Sequence, residues 1–464
     1  MNPSDGPFLV FLALLVPAFA LAAARLKCVP VLFLLAASLF FYATWNPFYL
    51  VPLAATALTD YAVGRGLGRA RSVAARRGLL AASLLVDLSL LACFKYYDAL
   101  AALWSLAPAP QPHLRILFMT GISFYTFQSM SYVLDVYRGD QPVQPSFLRY
   151  LAFVSFFPTL LAGPITRADT LMPQLEAPPR AMDPDLAGRA LFLIALGFVK
   201  KCLVADYLAE SLANRVFEQP LFYSGAEVLA GVYAYAAQIY CDFSGYSDIA
   251  IGAALLLGFR LKDNFKAPYR SASLSEFWQR WHISFSTWLR DYVFFSFPGV
   301  RRKGMAMFAI LATFVLGGLW HGASWCFLAW GLIHGLGLAA ERLFESRGRR
   351  PVSGWRRLAC VFVTFHVVVA AWVFFRAENL ETVAQIGGRL SDMTLGTGNI
   401  PGKALVLMLA VLASQALPEA WFERLVARFS AMPAVAQAAL LAGSALLVRF
   451  ASAGQIAPFI YQGF

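Results

Sequence analysis

The chain has 464 residues, of which 59% are hydrophobic and only 14% charged, and its formal net charge is +12. A soluble domain needs far more charge to cover its surface, so this composition excludes one and points to a protein that crosses a membrane repeatedly. The positive balance follows from the basic loops of such a topology, with some attraction to anionic lipid, and is poor evidence for nucleic acid binding.

The opening MNPSDG carries an acid and no base, unlike the start of a secretory signal, so the apolar run 7–24 is expected to be the first span. Arg25 and Lys27 follow it, which places the N-terminus outside and this loop in the cytoplasm. Spans expected over 29–44 and 48–64 return the chain to the cytoplasm at Arg65, Arg69, Arg71, Arg76 and Arg77. Two more, over 78–98 and 115–136, bring Arg138 to the same side. Loops are expected at 107–113, 138–146, 177–185 and 342–357, the last with six arginines. Further spans are expected over 358–376, 403–418 and 433–450, and with the crossings of the middle of the chain the total is roughly eleven. The expected fold is all-α: a single polytopic membrane domain over 1–464, with re-entrant or interfacial helices around a central channel. Its six cysteines are scattered without metal-ligand spacing and read as small buried apolar residues, so neither a metal nor a bound cofactor is expected.

Three segments could carry chemistry. No Asp, Glu, Lys or Arg occurs in the 37 residues between Lys303 and Glu341, enough for a helix of about 55 Å, far beyond the hydrocarbon core. This run must break, and Gly317, Gly318 and Gly322 in LGGLWHGASW (316–325) mark the place. Irregular backbone at membrane depth survives only when buried in protein or beside a watered cavity, so a break within the membrane puts His321 next to such a cavity, whereas two short spans meeting at the interface would put it at a headgroup-level turn. An intramembrane ionisable group is a functional candidate by default. The competing role is a neutral imidazole that bridges helices.

SEFWQRWHISFSTWLRDYVFF (275–295) is the second segment. On one helix, Trp278, Trp281, His282, Phe285, Trp288 and Leu289 would form a single aromatic face suited to an interfacial or re-entrant position. His282 is either functional there or incidental to a membrane anchor. The third, QIYCDFSGYSDIAIG (238–252), sets Asp242, Ser244, Tyr246 and Asp248 inside an apolar run, with i,i+4 pairs that could hydrogen-bond along a helix. Their carboxylates read either as partners for Arg270, Arg280 or Arg290, or as a group orienting a catalytic imidazole. Structural roles suit His113, His334 and His366. Metalloprotease, serine hydrolase and NTPase motifs are absent from the sequence.

Taken together, GISFYTFQSMSYVLDVYRG (121–139), FFPTLLAGPITRADTLMPQL (156–175), QIYCDFSGYSDIAIG, residues 263–293, LGGLWHGASW, WVFFRAENL (372–380) and the terminal PFIYQGF resemble the membrane-bound O-acyltransferase family, in its alginate O-acetyltransferase branch. The likeness covers roughly residues 115–464. It implies that His321 is catalytic and His282 a second functional position, with Trp320, Gly322, Trp281, Asp242, Ser244, Tyr246 and Asp248 as channel-lining or supporting residues. It also implies acetyl-CoA or an acyl-carrier thioester as donor, with a cytoplasmic carrier as a possible partner. A periplasmic acetyltransferase partner would pass the acetyl group to a polysaccharide acceptor from the bacterial inner membrane. Cys241 stands where an aromatic residue is commoner in the family, and SFPGVRRKGM is shorter than usual.

Acyl transfer from a thioester to a hydroxyl needs a base for the alcohol and a donor for the oxyanion. His321 would be the base; His282, a water or backbone N–H groups beside the glycine break would supply the donor. The rivals are the same chemistry with D-alanine or with peptidoglycan as acceptor, and a proton-coupled transporter or flippase. The lack of an internal repeat weighs against the last.

Overall fold

The computed structural model describes residues 1–25, 29–97, 119–177, 184–344 and 353–451; His113 and the terminal PFIYQGF motif lie outside them. Every regular element among these residues is helical. The helices used below are α1 (Gly6–Arg25), α2 (Val29–Ala43), α3 (Leu50–Leu67), α4 (Val73–Lys95), α5 (Ile122–Arg138), α6 (Phe147–Val154), α7 (Gly225–Leu256), α8 (Leu274–Trp278), α9 (Ile283–Trp288), α10 (Lys303–His321), α11 (Trp325–Phe344), α12 (Gly354–Arg376), α13 (Gly402–Ser414), α14 (Glu419–Ser430) and α15 (Ala434–Ala451). The chain separates into two compact units: Met1–Ile194 with Tyr246–Lys262 and Val426–Met432, and Ala195–Gly245 with Asp263–Leu425 and Pro433–Phe464.

Helix ends follow local chemistry. Ser72 starts α4 by accepting the Ala75 N–H at 3.1 Å, and Ser146 starts α6 through the Arg149 N–H at 3.4 Å. Gly139, left-handed at φ 88°, closes α5. Among the described residues, four helical stretches are long and apolar enough to cross a membrane: Gly6–Ala23, Val73–Lys95, Lys303–His321 and Gly354–Arg376. A fifth results if α13 and α14, bent by 104° at a short break, form one span. Their outward side chains include Leu14, Leu85, Phe362 and Val406, all more than 60% exposed, as lipid-facing residues would be.

In the first unit, rings of Phe8, Phe11, Phe41 and Phe157 lie 5.3–6.4 Å apart and hold α1 to α2. Helices α3, α4 and α5 pack on one another, closest at Gly64, where an added Cβ would come within 2.8 Å of the Tyr132 ring.

In the second unit α10 and α11 form a tight hairpin. Of the three glycines expected to mark the break, Gly317 and Gly318 stay helical and Gly322 opens it, at residues 322–324. Gly318 serves packing instead: a Cβ there would meet the Phe327 carbonyl, as one on Gly331 of α11 would meet the Phe314 carbonyl. Gly318→Ala must therefore push the hairpin apart, at a cost of about 1–3 kcal/mol. Thermal unfolding of the detergent-solubilised variant should show a lowered midpoint; an unchanged midpoint would contradict this close approach.

Candidate active site

The site is built in the second unit around a broken helix. Ser273 caps α8 by accepting the Glu276 N–H at 3.0 Å, and the Glu341 carboxylate from α11 accepts the Leu274 and Ser275 N–H groups at 2.6 and 3.0 Å. So tethered, α8 lasts five residues. The continuous aromatic helix expected over 275–295 is interrupted at His282, which sits at φ 43°, ψ 53°. A non-glycine residue in this left-handed region carries a backbone cost that the surroundings must offset.

Asn264 offsets it. Its backbone carbonyl accepts the Ile283 N–H at 3.0 Å, while Oδ1 accepts the Ser284 N–H at 3.1 Å and the Ser284 hydroxyl at 3.0 Å. The same Oδ1 lies 3.3 Å from Nδ1 of His282. A backbone N–H can only donate, so the amide orientation is fixed, and His282 must present Nδ1–H to that oxygen. The neutral ring then keeps its basic lone pair on Nε2. With its proton on Nδ1, neutral His282 is equipped to accept a proton or a hydroxyl hydrogen bond at Nε2, which leaves a water or backbone N–H groups as the oxyanion donors.

One phenyl ring joins the two histidines. Phe285 stacks on His282 at 5.0 Å and on Trp320 at 4.4 Å, and meets His321 edge-on at 6.1 Å. Phe243 closes the other side of His282 at 4.5 Å. His321, the last residue of α10, is buried among Trp320, Phe375 and Trp330 at 4.6, 4.8 and 5.1 Å. Gly322 follows in an extended conformation open to any residue, yet a Cβ there would lie 2.7 Å from the Phe327 ring. Space, not backbone angle, requires glycine. Trp281 is fully buried between Phe265 and Trp372 at 5.0 and 4.9 Å, which makes it packing support for the break.

The third segment divides. Asp242 and Ser244 are buried in the second unit, whereas Tyr246, buried, and Asp248, half-buried, belong to the first. Asp242 pairs with none of the anticipated arginines: Arg280 bonds Glu276, Arg290 bonds Asp291, and Arg270 donates to the Leu417 carbonyl. Its partner is Lys201, whose Nζ lies 2.7 Å from Asp242 Oδ1 and 2.7 Å from Asp206 Oδ1. Lys201 sits in a π-helical stretch, Val199–Ala205, and is 1% exposed. The triad thus anchors α7 at the residue preceding Phe243, the ring against His282.

Sequence reasoning missed Lys201 and Asn264. A signal existed for Lys201, a cation within the apolar run 190–205 and five residues ahead of Asp206. None existed for Asn264, whose role depends on a loop folding back. Two further described histidines have structural partners: His334 accepts the Trp278 indole N–H at 3.3 Å through Nδ1, and His366 lies between Tyr233 and the Phe362 carbonyl, each at 2.8 Å. Among the described residues no three His, Cys, Asp or Glu side chains converge as metal ligands.

Removing one member of a buried ion pair strands the other charge and costs about 3–5 kcal/mol, while removing the whole cluster is often neutral. Lys201→Met should accordingly lower the unfolding midpoint strongly, and adding Asp206→Asn and Asp242→Asn should recover most of the loss. A Lys201→Met protein as stable as wild type would contradict the triad.

The membrane-bound O-acyltransferase family model matches residues 140–377. The chain is 42% identical over 358 residues to a probable alginate O-acetylase of Pseudomonas aeruginosa, covering 75% of this chain and 67% of that protein. To the corresponding protein of Azotobacter vinelandii it is 42% identical over 387 residues, covering 82% and 75%. A peptidoglycan O-acetyltransferase of Helicobacter pylori is 33% identical over 384 residues, covering 77% and 73%. The matched region contains His282, His321, Asn264 and the Lys201 triad, and with the apolar helices it shows that this chain belongs to the membrane-bound O-acyltransferase family and is a multi-pass membrane O-acyltransferase.

Proposed function

We propose that the protein moves an acetyl group from a cytoplasmic thioester, acetyl-CoA or an acyl carrier, across the bacterial inner membrane for O-acetylation of an alginate-like exopolysaccharide. The observation that carries this reading is the placement of one ring, Phe285, against both His282 and His321, with Asn264 fixing which nitrogen of His282 is basic. The names of the relatives at 42% identity support acetate and a polysaccharide.

In this reading His321 takes the proton from the acceptor hydroxyl as its oxygen attacks the thioester carbonyl carbon. His282 accepts a hydrogen bond through Nε2 from a second hydroxyl of the acceptor and so orients it, and backbone N–H groups at the 322–324 break stabilise the oxyanion. The C–S bond breaks, the acyl group leaves on oxygen, and the proton passes from His321 to the departing thiolate. Trp320, Gly322 and Trp281 keep the rings and the break in place; Asp242 acts through α7, with Ser244, Tyr246 and Asp248 as further supports along that helix. A single domain of about eleven crossings around a channel, with the N-terminus periplasmic, suits transfer between the two faces. A periplasmic acetyltransferase would complete delivery. Acetylation of peptidoglycan is the second reading, favoured by the Helicobacter relative at 33% identity.

Purified protein in nanodiscs should consume radiolabelled acetyl-CoA when supplied with a hydroxyl acceptor or with its carrier and periplasmic partner. His321→Ala should lower turnover at least about 100-fold, as loss of a general base does, with unchanged protein abundance. Full activity of that variant would remove His321 from the mechanism.

A further inference from the structure

The first unit contains two carboxyls that acyl transfer does not use. Asp60 on α3 and Asp87 on α4 are both 0% exposed, on helices packed against α5. Asp60 is well supplied with donors: the Ser83 hydroxyl reaches Oδ1 and the Ser129 hydroxyl Oδ2, each at 2.6 Å. Ser129 thereby spends its proton, so the Tyr150 hydroxyl, 2.7 Å away on α6, donates to it in turn. Asp87 is supplied with none. Neither of its oxygens, nor the hydroxyls of Thr56 and Tyr125, reaches a hydrogen-bond partner among the described residues. Yet the polar groups Asp87 faces are the Asp60 carboxyl and the Thr56 hydroxyl, with the Tyr125 phenol in electrostatic range.

Among the described residues no Lys, Arg or His pairs with either carboxyl. Two carboxylates side by side in a dry interior cannot both stay ionised without a positive charge between them. Oxygen donors are what a proton or a small hard cation takes, and here they come from three helices at once. We propose that Asp60 and Asp87, with Thr56, Ser83, Ser129 and Tyr125 around them, form a binding site for one monovalent cation, a proton or a sodium ion. The filled site would fasten α3, α4 and α5 together, so that the unit's stability depends on its occupancy. This site is independent of the acyl-transfer chemistry.

The test uses full-length protein in nanodiscs. Thermal unfolding is followed as sodium replaces potassium at constant ionic strength, and the carboxyl C=O stretch is recorded by infrared spectroscopy. If sodium is the occupant, the wild-type midpoint rises with each tenfold step in sodium concentration, and Asp87→Asn removes that rise. With a proton as occupant, sodium has no specific effect, and a protonated-carboxyl band is present in wild type and lost in Asp87→Asn. That variant is a suitable probe because its amide stays neutral and can donate to Asp60 as a protonated Asp87 would. Should it fail to fold, the wild-type measurements still decide. Wild-type protein with neither a sodium-dependent midpoint nor a protonated-carboxyl band would overturn the proposal.

Discussion

The reactive region of this protein depends on one amide oxygen. Asn264 Oδ1 takes two donors from Ser284 and faces the third on His282, while the backbone of Asn264 holds Ile283. These bonds keep His282 in a left-handed conformation that splits an aromatic helix in two. Without the split, Phe285 would continue one helical face with the tryptophans instead of resting between His282, Trp320 and His321. The same bonds select the tautomer, so backbone geometry and proton chemistry are set by a single residue.

Around that point several buried or half-buried polar groups of the second unit have defined partners. Glu341 spends both oxygens on the N-terminus of α8. Lys201 is held between two carboxylates. His334 and His366 are engaged by Trp278 and Tyr233. Each arrangement satisfies a group that burial would otherwise penalise, and each ties one helix to another. In the first unit Asp60 follows this rule and Asp87 does not, which is why that pair calls for a ligand while the Lys201 cluster does not.

Much of this was legible in the sequence, for physical reasons. Apolar length alone located α1, α2, α4, α12 and α15 to within a few residues, because a helix in lipid must satisfy its own backbone. The uncharged run pointed to a break within the cluster Gly317, Gly318 and Gly322 beside His321; the break begins at Gly322, while the other two stay helical. Glycine signals both a turn and a close helix approach, and only the position of α11 tells which applies. Periodicity put Phe285, Trp281 and His282 on one face and could not see that Asn264 interrupts it. For Asp242 the sequence offered an arginine partner or a chemical role with equal weight, and Lys201 was not among the cations it suggested. Lys201 reaches that carboxylate from an earlier segment through a π-helical turn, a contact that spacing does not encode.

The most direct test of this account is the protonation pattern of His282. Nuclear magnetic resonance of protein carrying isotope-labelled histidine, assigned by comparison with Asn264→Ala, distinguishes the two neutral tautomers. The account predicts a neutral ring with its proton on Nδ1, and loss of that preference in Asn264→Ala. A proton on Nε2 in the wild-type protein would contradict it, because Asn264 would then hold neither the ring nor its base nitrogen in the proposed orientation.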